Sequence, residues 1–526
     1  QLMLGYLPML HHPDPKKVFI VGLGSGATAK AVLDFPGLRS ALCAELEPAV
    51  LEAVGFFAAV NNRVQDDPRF KVRIDDGRNA LLASKEKCDV IISEPSNPWI
   101  AGVANLYTTE FYQVGKARLN EGGVFCQWFH LYSMNPADVK MVLKTFFSVF
   151  PRGTVWTTAG ADIILLGSES EPAFDYARWN ELFQNSPSVI KSMQAIKMTA
   201  PDTVFSYYLA DSKTLFPLYK NAYLNTDDRP WLEFSAPRNL YEPTTPVNMR
   251  GLAKYRGGPL PPVRGYPAGR PLSTEYYLAA VRQAEAVGDA VLLEKALEEA
   301  LRIHPTDFEL RMFKAQRLIR AGKTMKGERE LREIVADNPG KRAGYAALAR
   351  LYRDQGFPER AEPLYEKAVR MDTGDEELNG EFIAFLRKQK RLDKAAALLE
   401  ELRKEHPDAA RYQFLSGLLR MDGKDYAGAS KFFEAALEKK PGSYEVMKNL
   451  LAAYREMGDN EKVIRLGEEL VKKNPYDREA VVDFGKALMK SGEVKRGREM
   501  LVRAMQLNPY ENREIEEFLE GRIARP

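Results

Sequence analysis

Cysteine and histidine are scarce in this chain. Three cysteines (Cys43, Cys88, Cys126) and five histidines in 526 residues are too few and too scattered for a disulfide framework or a metal site, and a reducing compartment is the default expectation. Long apolar runs are missing as well. Nothing approaches the ~18 residues of a bilayer span, and the amino end lacks the basic-then-apolar order of a signal peptide. Nor does one charge dominate: Lys+Arg 75 against Asp+Glu 72 leaves +3. The part up to Tyr241 carries 23 basic and 25 acidic residues (net −2), the remainder 52 and 47 (net +5), which excludes a nucleic-acid-binding polycation. What is present, 28% charged and 45% hydrophobic residues, is globular composition with room for about three domains at ~100–200 residues each. Gln1–His12 reads as the middle of an apolar helix, which leaves room for sequence upstream of Gln1.

Half the chain is periodic. Pro305, Pro339, Pro407, Pro441, Pro475 and Pro509 fall on one 34-residue grid, with Thr373 in the remaining slot. Seventeen residues before each slot stand Gly288, Gly322, Gly356, Gly458 and Gly492, with Lys390 and Lys424 as exceptions. Glycine permits a tight turn inside a helix pair and proline breaks the chain before the next helix. Ala300, Ala368, Ala436 and Ala504, five residues before grid positions, supply the small side chains of close helix contact. This pattern resembles the tetratricopeptide (TPR) family over Leu272–Pro526, about seven repeats, and implies a solenoid whose concave groove takes a protein partner. Residues 242–271, with seven prolines and five glycines, read as an extended interdomain linker. Residues 1–241 are then a separate domain.

That domain alternates short apolar runs with helical stretches, the pattern of a parallel sheet covered on both faces. Strand Val18–Gly22 runs into Gly22-Leu23-Gly24-Ser25-Gly26 and a helix at Ala27–Leu33, so backbone and helix N–H groups are presented to a ligand. A second strand ends at Glu45, placed to bind ribose hydroxyls. Phe70–Ile74 leads to Asp75-Asp76 and Cys88–Ser93 leads to Glu94. Three strands ending in carboxylates at the ligand-binding edge of an open sheet predict a nucleotide site, the alternative being that each acid simply caps the helix that follows. The glycine loop and acid are common to NAD enzymes and S-adenosylmethionine-type binders.

The fourth strand and its loop, Asp89–Leu106 (DVIISEPSNPWIAGVANL), followed by Tyr107-Thr108-Thr109-Glu110-Phe111-Tyr112, resemble the signature of the spermidine synthase family, the polyamine aminopropyltransferases. The likeness extends upstream through Leu7-Pro8, His12–Val18 and the glycine loop, and downstream to Asn225-Thr226-Asp227-Asp228. The arrangement is most similar to membrane-fused spermidine synthase-like proteins. The fold implied is an α/β Rossmann-like, S-adenosylmethionine-methyltransferase-like parallel sheet domain followed by an all-α TPR solenoid.

The resemblance further implies an enzyme that uses decarboxylated S-adenosylmethionine and no metal. The nucleoside would lie on Gly22, Gly24, Ser25 and Gly26, with its ribose on Glu45 beside Leu46 and its adenine on Asp76-Gly77. Glu94 takes the place of the base that faces the attacking amine, and Gln1, Asn97, Trp99 and Tyr107 stand near the diamine. It implies dimerisation, and a cytoplasmic location or a membrane tether upstream of Gln1 with the domain on the cytoplasmic face. Chemistry supplies its own reason for an acid at position 94. An alkyl amine with a pKa of about 10.4 is unprotonated at neutral pH in only roughly one molecule in a few thousand, and a positioned carboxylate that accepts its proton contributes about 10²–10⁴-fold. Trp99 and Tyr107 would either add cation–π contacts of about 0.5–2 kcal/mol or simply pack the loop.

The sequence also departs from the family. Ser25 and Asn97 stand where aspartates are usual, Glu94 is one methylene longer than aspartate, and Leu224 replaces a common tyrosine. Two charges that recognise cations are gone. Two other readings therefore stay open: an S-adenosylmethionine-dependent methyltransferase, and an inactive nucleoside-binding domain on a TPR interaction scaffold.

Overall fold

A computed structural model of the protein describes residues 1–158, 161–171, 173–288, 290–510 and 512–521. The end of the expected repeat region, 522–526, lies outside the described residues. The chain forms two compact units, Gln1–Arg311 and Met312–Pro526.

The first unit is built on an eight-stranded sheet of order β3-β2-β1-β4-β5-β7-β6-β9. Its strands are β1 (Lys17–Val21), β2 (Ser40–Glu45), β3 (Phe70–Ile74), β4 (Cys88–Ser93), β5 (Leu119–His130), β6 (Arg152–Thr157), β7 (Asp162–Ser168) and β9 (Tyr208–Asp211). The first five pair in parallel, and the pairs β5–β7, β7–β6 and β6–β9 are antiparallel. The minor strands β8 (Phe174–Asp175) and β10 (Val263–Arg264) form a parallel pair apart from the sheet. The runs of Val and Ile that mark β1 and β4 are buried on both faces. Val18 and Ile20 pack with helix α1 (Leu2–His11) on one side, while Phe19 and Val21 join Tyr107, Phe111 and Phe125 on the other. Cys43 and Cys126 are buried free thiols in the first of these layers.

Chain order reverses between β1 and β4, and at such a switch point the loops leave in opposite directions and open a crevice at the carboxyl ends of the strands. Helix α2 (Ala27–Leu33) follows β1 with Gly26 as its N-cap, in the left-handed conformation (φ +79°).

The 242–271 segment is not an extended spacer. Its prolines are compatible with order: Pro246 occupies the first turn of a helix, Thr245–Ala253, where no backbone N–H is needed. Asn248 of that helix is buried and its Nδ2 donates to the carbonyls of Leu131 (2.9 Å) and Met134 (2.7 Å), and Leu252 enters the core. The expected domain border also moves. The first helix pair of the 34-residue grid, Thr274–Val287 and Ala290–Ile303, belongs to the first unit. Tyr276 and Tyr277 pack into its core, and the Ser273 N and Oγ each donate to Asp202 at 2.6 Å.

The second unit is a run of helices in strict phase. One series begins at Thr324, Pro358, Leu392, Tyr426, Asn460 and Val494, and the alternate series at Arg342, Glu376, Ala410, Tyr444 and Arg478. Ala368, Ala436 and Ala504 are completely buried where paired helices meet. Lys390 (φ +57°) and Lys424 (φ +59°) adopt the same left-handed turn as Gly322, Gly356, Gly458 and Gly492, so the exceptions in sequence are not exceptions in conformation. A side chain there costs about 1–2 kcal/mol, part of which a glycine's greater chain entropy cancels. Lys424→Gly is expected to stabilise its repeat by about 0.5–1 kcal/mol, seen as slower hydrogen exchange in helices Ala410–Asp422 and Tyr426–Lys439; unchanged or faster exchange would contradict the strain.

Candidate active site

The crevice is set by backbone before any side chain enters it. Gly22 N donates to Ala44 O and Glu94 N to Val21 O, both at 2.9 Å, so the tips of β2, β1 and β4 end level. A Cβ on Gly22 would lie 2.4 Å from the Glu94 carbonyl oxygen; only glycine allows that approach, and its φ of +90° also requires it. Glu45 is buried with one oxygen on Leu23 N (2.8 Å) and the other on Glu47 N (3.0 Å), so it shapes the glycine loop as well as facing the crevice. Asn61, also fully buried, donates to the carbonyls of Ser25 and Val54 at 2.9 Å and braces the loop from below.

Asp76 caps the helix Gly77–Ala83, its Oδ1 accepting from Asn79 N at 2.8 Å. Gly77 sits where a Cβ would collide with Val21, which seats that helix against β1. Leu46, 70% exposed, projects free at the tip of β2 and offers an apolar face to a flat ring. Along the sheet edge the order is therefore Asp76 after β3, Glu45 on β2, the glycine loop on β1, and Glu94 after β4. Adjacent strands are ~4.8 Å apart, so these groups line a groove of nucleoside length.

Glu94 ends a hydrogen-bonded chain. The Ser25 hydroxyl donates to Gln1 Oε1 (2.7 Å), Gln1 Nε2 donates to Glu94 Oε1 (3.0 Å), and Thr28 Oγ1 donates to Glu94 Oε2 (2.6 Å). Loss of hydration raises the Glu94 pKa above the ordinary glutamate value, and the hydrogen bonds from Thr28 and Gln1 oppose the rise. Asp162, half-buried at the start of β7, adds to the rise through its own charge and is itself raised by burial. Asn97 accepts from the Tyr132 hydroxyl at 3.0 Å, and Trp99 packs on His130 and Tyr132 with ring centroids 4.6 and 5.7 Å away. Burial pushes His130 down to about 4, so its imidazole is neutral near pH 7.

The structure places Gln1, Gly22, Gly24, Ser25, Gly26, Glu45, Leu46, Asp76, Gly77 and Glu94 along this one edge of the sheet, with Asn97 and Trp99 on the adjoining loop. Tyr107 differs. It is completely buried, edge-on to Phe129, with its hydroxyl on the Trp128 carbonyl at 3.2 Å, so it packs the loop and presents no face to a cation. Asn225 and Asp227 are anchors: Asn225 Nδ2 donates to Tyr107 O (3.1 Å), and Asp227 takes both guanidinium nitrogens of Arg78. Thr28, Asn61 and Asp162 were not singled out from the sequence. Thr28 had a signal, a hydroxyl in the first turn after the glycine loop; Asn61 and Asp162 reach the site only through tertiary structure.

With this geometry, residues 1–160 match the spermine/spermidine synthase domain, and residues 314–376 and 352–419 match tetratricopeptide repeats. The N-terminal sheet carries a spermine/spermidine synthase domain. This domain is similar to the polyamine aminopropyltransferase of Thermotoga neapolitana, 32% identical over 168 residues, which are 30% of this chain and 56% of the relative. A second similar protein, the polyamine aminopropyltransferase of Serratia proteamaculans, is 39% identical over 124 residues, 23% of this chain and 43% of that one. The solved spermidine synthase from Thermotoga maritima is 29% identical and covers 34% of this chain and 64% of that chain, with a TM-score of 0.31. The chain thus spans about half the length of the curated relatives it matches. Among the described residues of the synthase domain and the repeats, no helix is long and apolar enough to cross a membrane, and no three His, Cys, Asp or Glu side chains are grouped to hold a metal.

Asn61→Ala is expected to loosen the glycine loop, leaving the Ser25 and Val54 carbonyls without their donor at a cost of about 1–3 kcal/mol. Hydrogen exchange at the Leu23 and Gly26 amides should accelerate accordingly; unaltered protection there would show that Asn61 does not brace the loop.

Proposed function

We propose that the synthase domain transfers an aminopropyl group from decarboxylated S-adenosylmethionine to a diamine such as putrescine. The observation that carries this reading is the order of groups along the sheet edge. Asp76 and Leu46 suit an adenine, Glu45 a ribose and the glycine loop a sulfur centre, and Glu94 stands at the end where a nucleophile enters. In the reaction the amine nitrogen attacks the methylene next to the sulfonium, the C–S bond breaks with its electron pair going to sulfur, and methylthioadenosine leaves. The proton lost by the amine goes to Glu94, whose raised pKa makes it a better acceptor than an ordinary carboxylate.

Acceptor recognition follows from the same walls. Ser25 and Asn97 carry no charge, and the Ser25 hydroxyl and Asn97 Oδ1 are engaged by Gln1 and Tyr132. Asp162, whose charge acts on Glu94, is the second anion we assign to a dicationic acceptor. Asp162→Asn is expected to raise the diamine KM about tenfold, the scale of one lost charge-assisted hydrogen bond, with kcat nearly unchanged. A drop in kcat at constant KM would instead give Asp162 a part in the chemistry.

The deciding experiment is product analysis with the intact chain. Methylthioadenosine release from decarboxylated S-adenosylmethionine and a diamine is expected, reduced at least about 10²-fold in Glu94→Gln. No product with any common diamine would overturn the proposal, and S-adenosylhomocysteine formed from S-adenosylmethionine would favour methyl transfer. Because the ionised form of Glu94 accepts the proton, activity falls as pH drops through its raised pKa. The acid limb should thus lie above the usual glutamate value of about 4.3. Thr28→Val removes a donor that holds this pKa down and should move the limb to higher pH; an unshifted limb would mean that another group controls it.

A further inference from the structure

A cavity of about 550 Å³ lies in the first unit, bounded by the ends of β6 and β9 and by the helices Thr245–Ala253 and Thr274–Val287. It is distinct from the crevice at the tips of β1 and β4, and its size is in the range of sites that enclose small organic molecules. Much of the wall is apolar, with Leu209, Met249 and Leu278 among its residues. Among the polar residues of the wall, three have a hydrogen-bonding atom without a partner and shielded from solvent: Arg256 Nε, Gln283 Oε1 and Thr203 Oγ1.

These three groups are held in one cluster. Arg256 Nη1 donates to the Ser206 carbonyl (3.3 Å) and Gln283 Nε2 donates to the Ser206 hydroxyl (3.2 Å). Thr203 precedes Ser206 by three residues in the 3₁₀ helix Pro201–Tyr207, and residues three apart in such a helix lie above one another. A buried polar atom without a partner is costly and calls for an explanation, and three around one cavity point to a common one.

The guanidinium is the strongest element. Glu275 and Glu309 also line the cavity, as do the cationic Lys197 and Arg282, but Arg256 forms no ion pair among the described residues. Burial pulls its pKa below the ordinary arginine value, and the Tyr276 hydroxyl is the group that opposes this. With Nη1 engaged by Ser206, the Nε and Nη2 edge is left, and that edge of an arginine receives a carboxylate through two parallel hydrogen bonds. Glu275 and Glu309 offset the charges of Lys197 and Arg282, so the wall keeps the one positive charge of Arg256, which a carboxylate balances and a phosphate dianion exceeds.

We propose that this cavity binds a small organic acid with an apolar body, its carboxylate on Nε and Nη2 of Arg256 and its hydrocarbon against Leu209, Met249 and Leu278. Gln283 Oε1 and Thr203 Oγ1 then favour an acid that carries a hydroxyl near the carboxylate, which donates to the first and accepts from the second. The site is independent of the reaction at Glu94.

The test uses the intact chain and four probes, octanoate, 3-hydroxyoctanoate, 1-octanol and octylamine, followed by titration calorimetry. Octanoate is expected to bind at one site per chain, at least about tenfold tighter than 1-octanol, the scale of a charge-assisted pair. The hydroxy acid should bind tighter still, and octylamine should not bind. Arg256→Gln should remove the preference for octanoate over 1-octanol, and Ala279→Trp, which fills the cavity from the helix Thr274–Val287 while keeping the guanidinium, should abolish both. Circular dichroism melting establishes that each variant is folded, and Ala279→Trp serves if Arg256→Gln is not. Equal binding of octanoate and 1-octanol, octanoate binding untouched by Ala279→Trp, or no octanoate binding at millimolar concentration would each overturn the proposal.

Discussion

The close approach of Gly22 to the Glu94 carbonyl is the constraint on which the crevice depends. It brings the end of β1 against the end of β4 at the point where chain order reverses, and so fixes where the loop, Glu45 and Glu94 stand relative to each other. Any side chain at position 22 would push these tips apart, and the Ser25–Gln1–Glu94–Thr28 chain would lose its span. The charges give the crevice its character, but backbone geometry decides that they stand at one edge. Glu45 shows how closely the two are joined, since the carboxylate that faces the groove also accepts the Leu23 amide that closes the loop.

Much of this was legible in the sequence because the relevant signals are local. The helix at Ala27–Leu33 and the strands Phe70–Ile74 and Cys88–Ser93 coincide with the expectation residue for residue, since a glycine loop and a run of β-branched residues bounded by turns leave few alternatives. The acids at strand ends follow from the same reading. Capping and ligand binding are compatible roles for such acids, as Asp76 shows: it caps its helix with one oxygen and keeps the other. What escaped the sequence reading is what comes from afar. Asp162 lies on an antiparallel strand that pairs with β5, and nothing near it in sequence points to Glu94. Tyr107 was misplaced for the related reason that an aromatic residue beside a functional loop looks the same whether it faces inward or outward.

The helical region divides in a similar way. Its phase is written in proline and glycine spacing, and the structure keeps that phase even at Lys390 and Lys424, where the turn must form without the favoured residue. Membership is another matter. The first grid pair has the periodicity of a repeat, yet Tyr276 and Tyr277 bury their rings in the sheet unit. Periodicity reports local geometry and is silent about which neighbour covers an apolar face.

The proline-rich stretch that follows the helix Thr245–Ala253 has one more effect. Strand β9 is the last of its sheet, and its outer side is met by the Gly257 amide, which donates to Leu209 O at 2.7 Å. Pro259, Pro261 and Pro262 come directly after, and they have no N–H with which to extend a ladder. A stranger's β-segment therefore finds a poorer template at that border.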